Sequence, residues 1–80
     1  MVKIVSFLKL EQGHLKEIIA AIREIPEVIK VITTTGEYDL LVEFEVVNEE
    51  HLFDIFTKKI DILPGLKDIN SHYILAMWEK

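Results

Sequence analysis

The residues best suited to chemistry surround a single glycine, in the run Thr33-Thr34-Thr35-Gly36-Glu37-Tyr38-Asp39. Gly36 accepts a positive φ without Cβ strain, so the sequence predicts that the chain turns back there. Backbone amides at a turn lack ladder partners, and Asp39 adds a carboxylate beside them. These groups together suit a small polar ligand. The alternative is that Asp39 only caps the turn or faces solvent.

The segments on either side of Gly36 are predicted strands. Residues 31–35 are β-branched throughout, which favours an extended backbone. We expect strands at Val28–Thr35 and Tyr38–Val47, joined by a tight hairpin. Because the second strand alternates, one of its faces is predicted to carry Tyr38, Leu40, Val42, Phe44 and Val46, and the other Asp39, Glu43 and Glu45.

No other group of residues has the spacing of a catalytic or metal site. The histidines at positions 14, 51 and 72 form no His-x-x-x-His pair, and the chain has no cysteine. A zinc site needs three or four converging ligands, so we predict no metal and no cofactor. Glu43 and Glu45 are interpreted as partners for Lys3 or Lys9 on a neighbouring strand, not as an acid/base pair.

The composition indicates one domain, residues 1–80, with more apolar surface than it can bury. Half of the residues are apolar and the net charge is −5. A chain of this size buries only roughly 60% of its unfolded surface. The surplus apolar surface predicts an oligomer. The lysines are scattered, so the basic face that direct binding to nucleic acid requires is not predicted.

Two features of the sequence predict a cytoplasmic protein that does not enter a membrane. No uncharged run approaches the ~20 residues that span a bilayer. Lys3 and Lys9 bracket the first apolar residues and no small-residue cleavage site follows, so a signal peptide is not predicted.

Apolar spacing elsewhere predicts the first strand and helix. The strand Val2–Leu10 is apolar on both faces. The helix ends at Pro26, and its buried positions recur at helical spacing, at Leu15, Ile18, Ile19, Ile22 and Ile25.

The second helix and the last strand complete the chain. Asn48 is a predicted N-cap, Pro64-Gly65 ends the helix, and Leu66–Trp78 is the last strand. The buried stripe of this helix is predicted to consist of Leu52, Phe53, Phe56, Ile60 and Leu63.

The order β-α-β-β-α-β predicts an α+β, ferredoxin-like fold with a four-stranded antiparallel sheet. Both helices would cover one face of this sheet. Since the uncovered face is also apolar on the first two strands, we expect two copies to pair through it as a dimeric α+β barrel.

Three motifs carry a resemblance to a known family. They are Val31 with Thr34-Thr35-Gly36-Glu37-Tyr38-Asp39-Leu40-Leu41-Val42, then Leu63-Pro64-Gly65-Leu66, and Ile25-Pro26-Glu27-Val28. With them the chain resembles the effector-binding RAM domain of the Lrp/AsnC (feast/famine) transcription regulators. Members of that family normally carry an N-terminal DNA-binding helix-turn-helix, so the chain resembles the stand-alone module.

The resemblance implies a homodimer that assembles further, with a small amino acid held between dimers. It assigns ligand binding to Thr35, Gly36, Glu37, Tyr38, Asp39 and Ser71. Asp39 would attract the ammonium, while amides near Gly36 and the Ser71 hydroxyl would hold the carboxylate. The family's Thr-x-Thr on the last strand corresponds here to Ile69-Asn70-Ser71, so the hydroxyl at Ile69 is missing. Losing such a bond weakens binding about ten- to hundredfold.

Two functions remain open at this point. The first is a non-enzymatic, ligand-responsive oligomerisation module that modulates transcription through a partner such as a full-length Lrp/AsnC-type regulator. The second is a small cofactor-independent enzyme of the dimeric α+β barrel type, with His72, Tyr73 and Trp78 as candidates. On a regular strand His72 and Trp78 point away from Tyr73, which favours the first function. Trp78 is then interpreted as an interface aromatic.

Overall fold

A four-stranded antiparallel sheet carries two helices on one face. The computed structural model describes all residues, Met1–Lys80. The elements are β1 Val2–Leu10, α1 Leu15–Arg23, β2 Val28–Thr33, β3 Leu40–Val46, α2 Glu49–Ile55 and β4 Leu66–Tyr73. A π-helical turn, Phe56–Ile60, extends α2. The strand order β2-β3-β1-β4 confirms the predicted ferredoxin-like α+β fold. None of the helices is long and apolar enough to span a bilayer.

The hydrophobic core lies between the helices and the covered face of the sheet. Alternate residues of β3 point into it and are fully buried, as are Ile4 and Leu8 of β1. Ile18 and Ile22 of α1 pack into the same cluster, with Leu52 and Ile55 of α2. Each such aliphatic side chain stabilises the fold by about 1.5–3 kcal/mol when fully buried.

The opposite face, here called the open face, carries no helix. Its side chains alternate with the core positions and include Val5, Phe7, Ile32, Leu41, Asn70 and His72. Phe7 lies on β1, one of the two central strands of the sheet, and its ring centroid is 6.2 Å from that of His72. The open face is therefore a mixed surface with an apolar centre.

The last strand ends at Tyr73, short of the predicted Trp78, and its register against β1 places Val2 opposite residue 75, so that β1 has no residue opposite Trp78. The final hydrogen bond runs from the Ile74 N–H to the Lys3 carbonyl, at 2.9 Å. Leu75 is then 96% exposed and Trp78 87% exposed. Residues 74–80 thus form an extension with apolar side chains in solvent.

The second helix begins as the sequence predicted. The Asn48 side chain accepts a hydrogen bond from the His51 N–H at 2.9 Å, so Asn48 is the N-cap. Glu49 and Glu50 occupy the first turn, where the helix dipole favours acidic side chains.

The predicted buried stripe of this helix is wrong at Phe53, whose side chain is 66% exposed. The core position is Ile55 instead, three residues after the buried Leu52. The π turn adds one residue to the next turn, so that Ile60, five residues after Ile55, returns to the core. A stripe drawn at a constant 3.6-residue period misses this change of phase.

The hairpin is wider than predicted, because β2 ends at Thr33 and β3 begins only at Leu40. The intervening segment, Thr34–Asp39, is called the turn below. The turn lies beside the last residues of β1, because the Asp39 N–H donates to the Leu8 carbonyl. The start of β1 and the end of β4 lie together at the other end of the sheet.

Candidate functional site

The turn is held closed by two hydrogen bonds from one residue. The Thr34 N–H donates to the Asp39 carbonyl at 3.0 Å, and the Thr34 hydroxyl donates to the Tyr38 carbonyl at 2.8 Å. Between them the chain reverses at Gly36, whose φ is +99°. An L side chain at that φ is strained, which explains the glycine.

The turn presents a row of free backbone donors. The N–H groups of residues 35–38 donate no hydrogen bond within the chain, and residues 35–37 are exposed. Successive free amides at a turn carry partial positive charge and attract anions. The turn is therefore suited to a carboxylate.

Asp39 is tied into the sheet by both its backbone and its side chain. Its N–H donates to the Leu8 carbonyl at 2.9 Å. Its Oδ2 accepts a hydrogen bond from the Leu10 N–H at 2.8 Å. One carboxylate oxygen thus already has a partner within the chain.

Tyr38 lies on the open face, so its predicted place on the same face as Leu40 is wrong. Its ring centroid is 5.6 Å from that of Phe7, and its hydroxyl accepts a hydrogen bond from Asn70 Nδ2 at 3.3 Å. The alternation expected for a strand fails here because the backbone becomes regular only at Leu40. Tyr38 consequently links the turn to the centre of the open face.

Ser71 is not brought to the turn. It lies opposite Ser6, and the two hydroxyl oxygens are 2.7 Å apart on the covered face of the sheet. Its neighbour Asn70, which faces the other way, is the β4 residue that contacts Tyr38. The sequence pattern alone assigned no role to Asn70. Because successive residues of a strand face opposite sides of the sheet, Asn70 must face away from Ser71. Its contact with Tyr38, however, depends on the register between strands.

The residues considered for an enzyme do not converge. His72 lies on the open face beside Phe7, whereas Tyr73 is opposite Ile4, a core residue. Trp78 lies beyond the sheet. No group of three or more His, Asp or Glu side chains is placed to hold a metal ion.

A separate polar cluster on the helical side joins the connection before β2 to α2 and to the π-helical turn. His51 Nδ1 accepts a hydrogen bond from the Val47 N–H at 3.2 Å, so His51 Nε2 is the nitrogen that donates to Glu27 Oε2, at 2.9 Å. Lys59 Nζ lies 3.9 Å from Glu27 Oε1. The hydrogen bond from His51, and to a lesser degree the charge of Lys59, hold the pKa of Glu27 below its ordinary value, although desolvation opposes them.

The molecule has two surface grooves, and no residue of the turn lines either of them. One, of about 470 Å³, runs between α1 and β2 and is lined in part by Ile19, Arg23 and Lys30. The other, of about 410 Å³, lies between residues 74–77 and the start of β1. The free amides of the turn belong to neither groove, so the turn is a surface site in a single subunit.

Comparison with known proteins identifies the family. The family model described as the Lrp/AsnC ligand binding domain matches residues 4–79. Among curated relatives, the HTH-type transcriptional regulator FL11 of Pyrococcus horikoshii is 29% identical over 68 residues, which are 85% of this chain and 44% of FL11. The chain thus spans about half the length of the curated relatives it matches.

Solved structures share the fold over the whole chain. TTHA0845 from Thermus thermophilus superposes with a TM-score of 0.90 at 24% identity, covering 100% of both chains. The transcriptional regulator NMB0573 from Neisseria meningitidis, solved as a complex with L-Met, has a TM-score of 0.90 at 17% identity over 99% of this chain and 53% of its own. With the family model matching nearly every residue, this chain belongs to the Lrp/AsnC ligand-binding domain family.

Proposed function

We propose that this domain binds a small free amino acid at the turn Thr34–Asp39 and that binding changes its state of assembly. The observation that carries the proposal is the row of free N–H groups at residues 35–38. These donors suit the α-carboxylate that every amino acid carries. The space beside Gly36 is open to such a ligand, since a Cβ at that position would meet no atom within 4 Å.

The second part of the proposal is that two copies pair through the open face. Phe7 and Leu41 lie there on adjacent strands, where no helix covers them. The exposed apolar side chains of residues 74–80 continue the surface beyond the start of β1. A second copy that covers this surface removes apolar area from water, at about 25 cal/mol per Å².

Tyr38 supports a connection between the two parts. The residue belongs to the turn, yet its ring packs on Phe7 in the open face. A ligand that contacts the turns of two dimers binds the assembled state more tightly and shifts the assembly equilibrium by mass action. The same surface suits a full-length Lrp/AsnC-type regulator, through which the domain modulates transcription.

The test is a screen of the twenty amino acids by isothermal titration calorimetry, with light scattering on the same samples. L-Methionine is the first ligand to try, because NMB0573 was solved in complex with L-Met. We expect one or a few amino acids to bind and to change the assembly size. Methioninamide, which lacks the carboxylate, is the matched control and should not bind. An absence of any amino-acid binding contradicts the proposal.

The same calorimetric test shows whether Ser71 contacts the ligand. Its hydroxyl is bonded to Ser6 on the covered face, so the carboxylate is proposed to depend on the turn amides. Ser71→Ala is expected to leave the amino-acid affinity within about threefold of wild type. A larger loss would instead support the role that the resemblance gives to Ser71.

A further inference from the structure

We infer that Asp39 is a positioning residue, which fixes the free amides of the turn by bonding to β1, and that ligand affinity depends on this bond and not on the charge of Asp39. The inference deepens the proposed function and rests on it for the ligand. Its structural part, the bond between the turn and β1, can be tested without a ligand.

Asp39 takes part in three hydrogen bonds, one within the turn and two to β1. Its carbonyl accepts from the Thr34 N–H at 3.0 Å, which closes the turn. Its N–H donates to the Leu8 carbonyl at 2.9 Å. Its Oδ2 accepts from the Leu10 N–H at 2.8 Å, so the side chain reaches two residues further along β1 than the backbone does.

The register of the sheet explains why a side chain accepts this bond. β1 and β3 pair antiparallel with Leu8 opposite Leu40, so a continued ladder would place Leu10 opposite Tyr38. The Tyr38 carbonyl would then accept from the Leu10 N–H. The chain leaves β3 at Leu40, however, and the Tyr38 carbonyl accepts from the Thr34 hydroxyl instead. The Asp39 carboxylate replaces the missing backbone acceptor.

Because of this replacement, the turn departs from the β-ladder while the Leu10 N–H keeps a hydrogen-bond acceptor. A buried N–H that loses its partner costs about 1–3 kcal/mol. β1 is also irregular on its other side, since its register against β4 shifts between Lys9 and Leu10. Without the Asp39 side chain, only the backbone bond from the Asp39 N–H to the Leu8 carbonyl would hold the turn to β1, and the direction of the free amides would be less firmly fixed.

Substitution of Asp39 can distinguish its role in positioning the turn from a role of its negative charge. Asparagine at position 39 retains an Oδ1 acceptor of nearly the same geometry but carries no charge. Alanine removes both. A direct ion pair with a ligand ammonium would be lost equally in the two variants, whereas the acceptor for Leu10 is lost only in alanine.

The experiment compares wild type, Asp39→Asn and Asp39→Ala, using the tightest ligand from the amino-acid screen and amide hydrogen exchange of the ligand-free proteins. We expect Asp39→Asn to keep the protection of the Leu10 amide and an affinity within about threefold of wild type. Asp39→Ala should expose the Leu10 amide to exchange and lose about tenfold or more in affinity. The exchange of core amides such as that of Val42 is the internal control.

Each other outcome overturns a named part of the inference. If Asp39→Asn protects the Leu10 amide but binds as weakly as Asp39→Ala, the charge itself contacts the ligand. If Asp39→Ala leaves the Leu10 amide protected, the side chain does not hold the turn. Should Asp39→Ala fail to fold, the comparison of wild type with Asp39→Asn still decides between position and charge. When no amino acid binds wild type, the proposed function fails, while the exchange data still decide the structural part.

Discussion

Ser6 is the one polar side chain that is fully buried, and it is paired with a hydroxyl of the neighbouring strand. Its Oγ lies 2.7 Å from Ser71 Oγ. Each hydroxyl can donate or accept, so the pair satisfies itself inside the core. The contact also favours the observed register, because a one-residue slip of β4 would place Asn70 or His72 against the core.

Replacing one of the two serines should therefore lower the free energy of unfolding more than replacing both. Ser71→Ala leaves the buried Ser6 hydroxyl without its partner, and we expect a loss of about 1–3 kcal/mol in the free energy of unfolding. The double variant with Ser6→Ala replaces both polar groups by methyl groups and should recover part of that loss. Urea unfolding of the three proteins measures the difference. A double variant no more stable than Ser71→Ala would contradict this interpretation.

Gly65 is required for two reasons, whereas Gly36 is required for one. Both have positive φ, +88° and +99°. A Cβ on Gly65 would also overlap the His14 ring, while a Cβ on Gly36 would meet nothing within 4 Å. The imidazole of His14 packs directly over Gly65.

We expect Gly65→Ala to destabilise the domain more than Gly36→Ala, which should cost about 1–2 kcal/mol from backbone strain alone. Adding His14→Ala to Gly65→Ala should reduce the difference, because the clash is removed and only the strain remains. Thermal unfolding followed by circular dichroism compares these variants. Equal stability of the two alanine variants would indicate that the His14 ring moves aside at no cost.

At the scale of elements, the cluster of Glu27 and His51 holds the connection before β2 against the start of α2. The Glu27 carbonyl also accepts a hydrogen bond from the Glu45 N–H at 2.9 Å. Since the pKa of Glu27 is lowered in the folded protein, the folded state favours its ionised form. This contribution to stability is present above the ordinary pKa of 4.5 and is lost as the pH falls through the lowered pKa.

We expect the free energy of unfolding to differ between wild type and Glu27→Gln by an amount that depends on pH. At pH near 7 the variant should be less stable by about 1 kcal/mol, because a charge-assisted hydrogen bond is replaced by a neutral one. The difference should shrink as the pH is lowered below 4.5. Urea unfolding across that range measures it, with Glu24→Gln, an exposed residue of the same connection, as the control. A difference that stays constant with pH would exclude Glu27 as the titrating group.

The sequence predicted the number, order and type of the elements, because apolar periodicity and the breaks at Pro26 and Pro64 are strong local signals. It did not predict where β3 begins. The alternation from Tyr38 onward is as good a strand pattern as the alternation from Leu40. The choice between them depends on the side-chain bond of Asp39 to β1, a contact between residues distant in the chain.

That boundary also limited what could be predicted of the candidate site. Gly36 and its neighbours identified the turn, since a positive φ is a local requirement. The free amides, the contact of Tyr38 with Asn70 and the pairing of Ser71 with Ser6 all depend on how strands are aligned. Alignment between strands is a property of the folded sheet and is only weakly encoded in any one segment.

At the scale of the whole molecule, the open face and the helical side each carry a phenylalanine, half-buried Phe7 on the sheet and exposed Phe53 on α2. Phe7 packs against the rings of Tyr38 and His72 and pairs with Leu41 across the sheet, whereas no aromatic ring packs on Phe53. A contiguous apolar patch marks an interaction surface, whereas a single exposed apolar side chain does not.

Lysine at these two positions should therefore have different effects on assembly. Phe7→Lys places a charge at the centre of the proposed interface and should yield a folded 9.3 kDa particle in sedimentation velocity at micromolar concentration. Phe53→Lys is the matched control and should sediment as wild type, at twice that mass or a higher multiple. Wild type sedimenting as a single 9.3 kDa particle would contradict pairing through the open face.

Strand β1 separates the turn from both ends of the described chain. The strand has nine residues, and at about 3.3 Å per residue it is ~30 Å long from one end to the other. A fluorophore or a fused reporter attached before Val2 would consequently stand well clear of an amino acid held at the turn of the same subunit. Energy transfer between labels on different subunits could then follow assembly during a titration, without the dye obstructing the ligand it is meant to report.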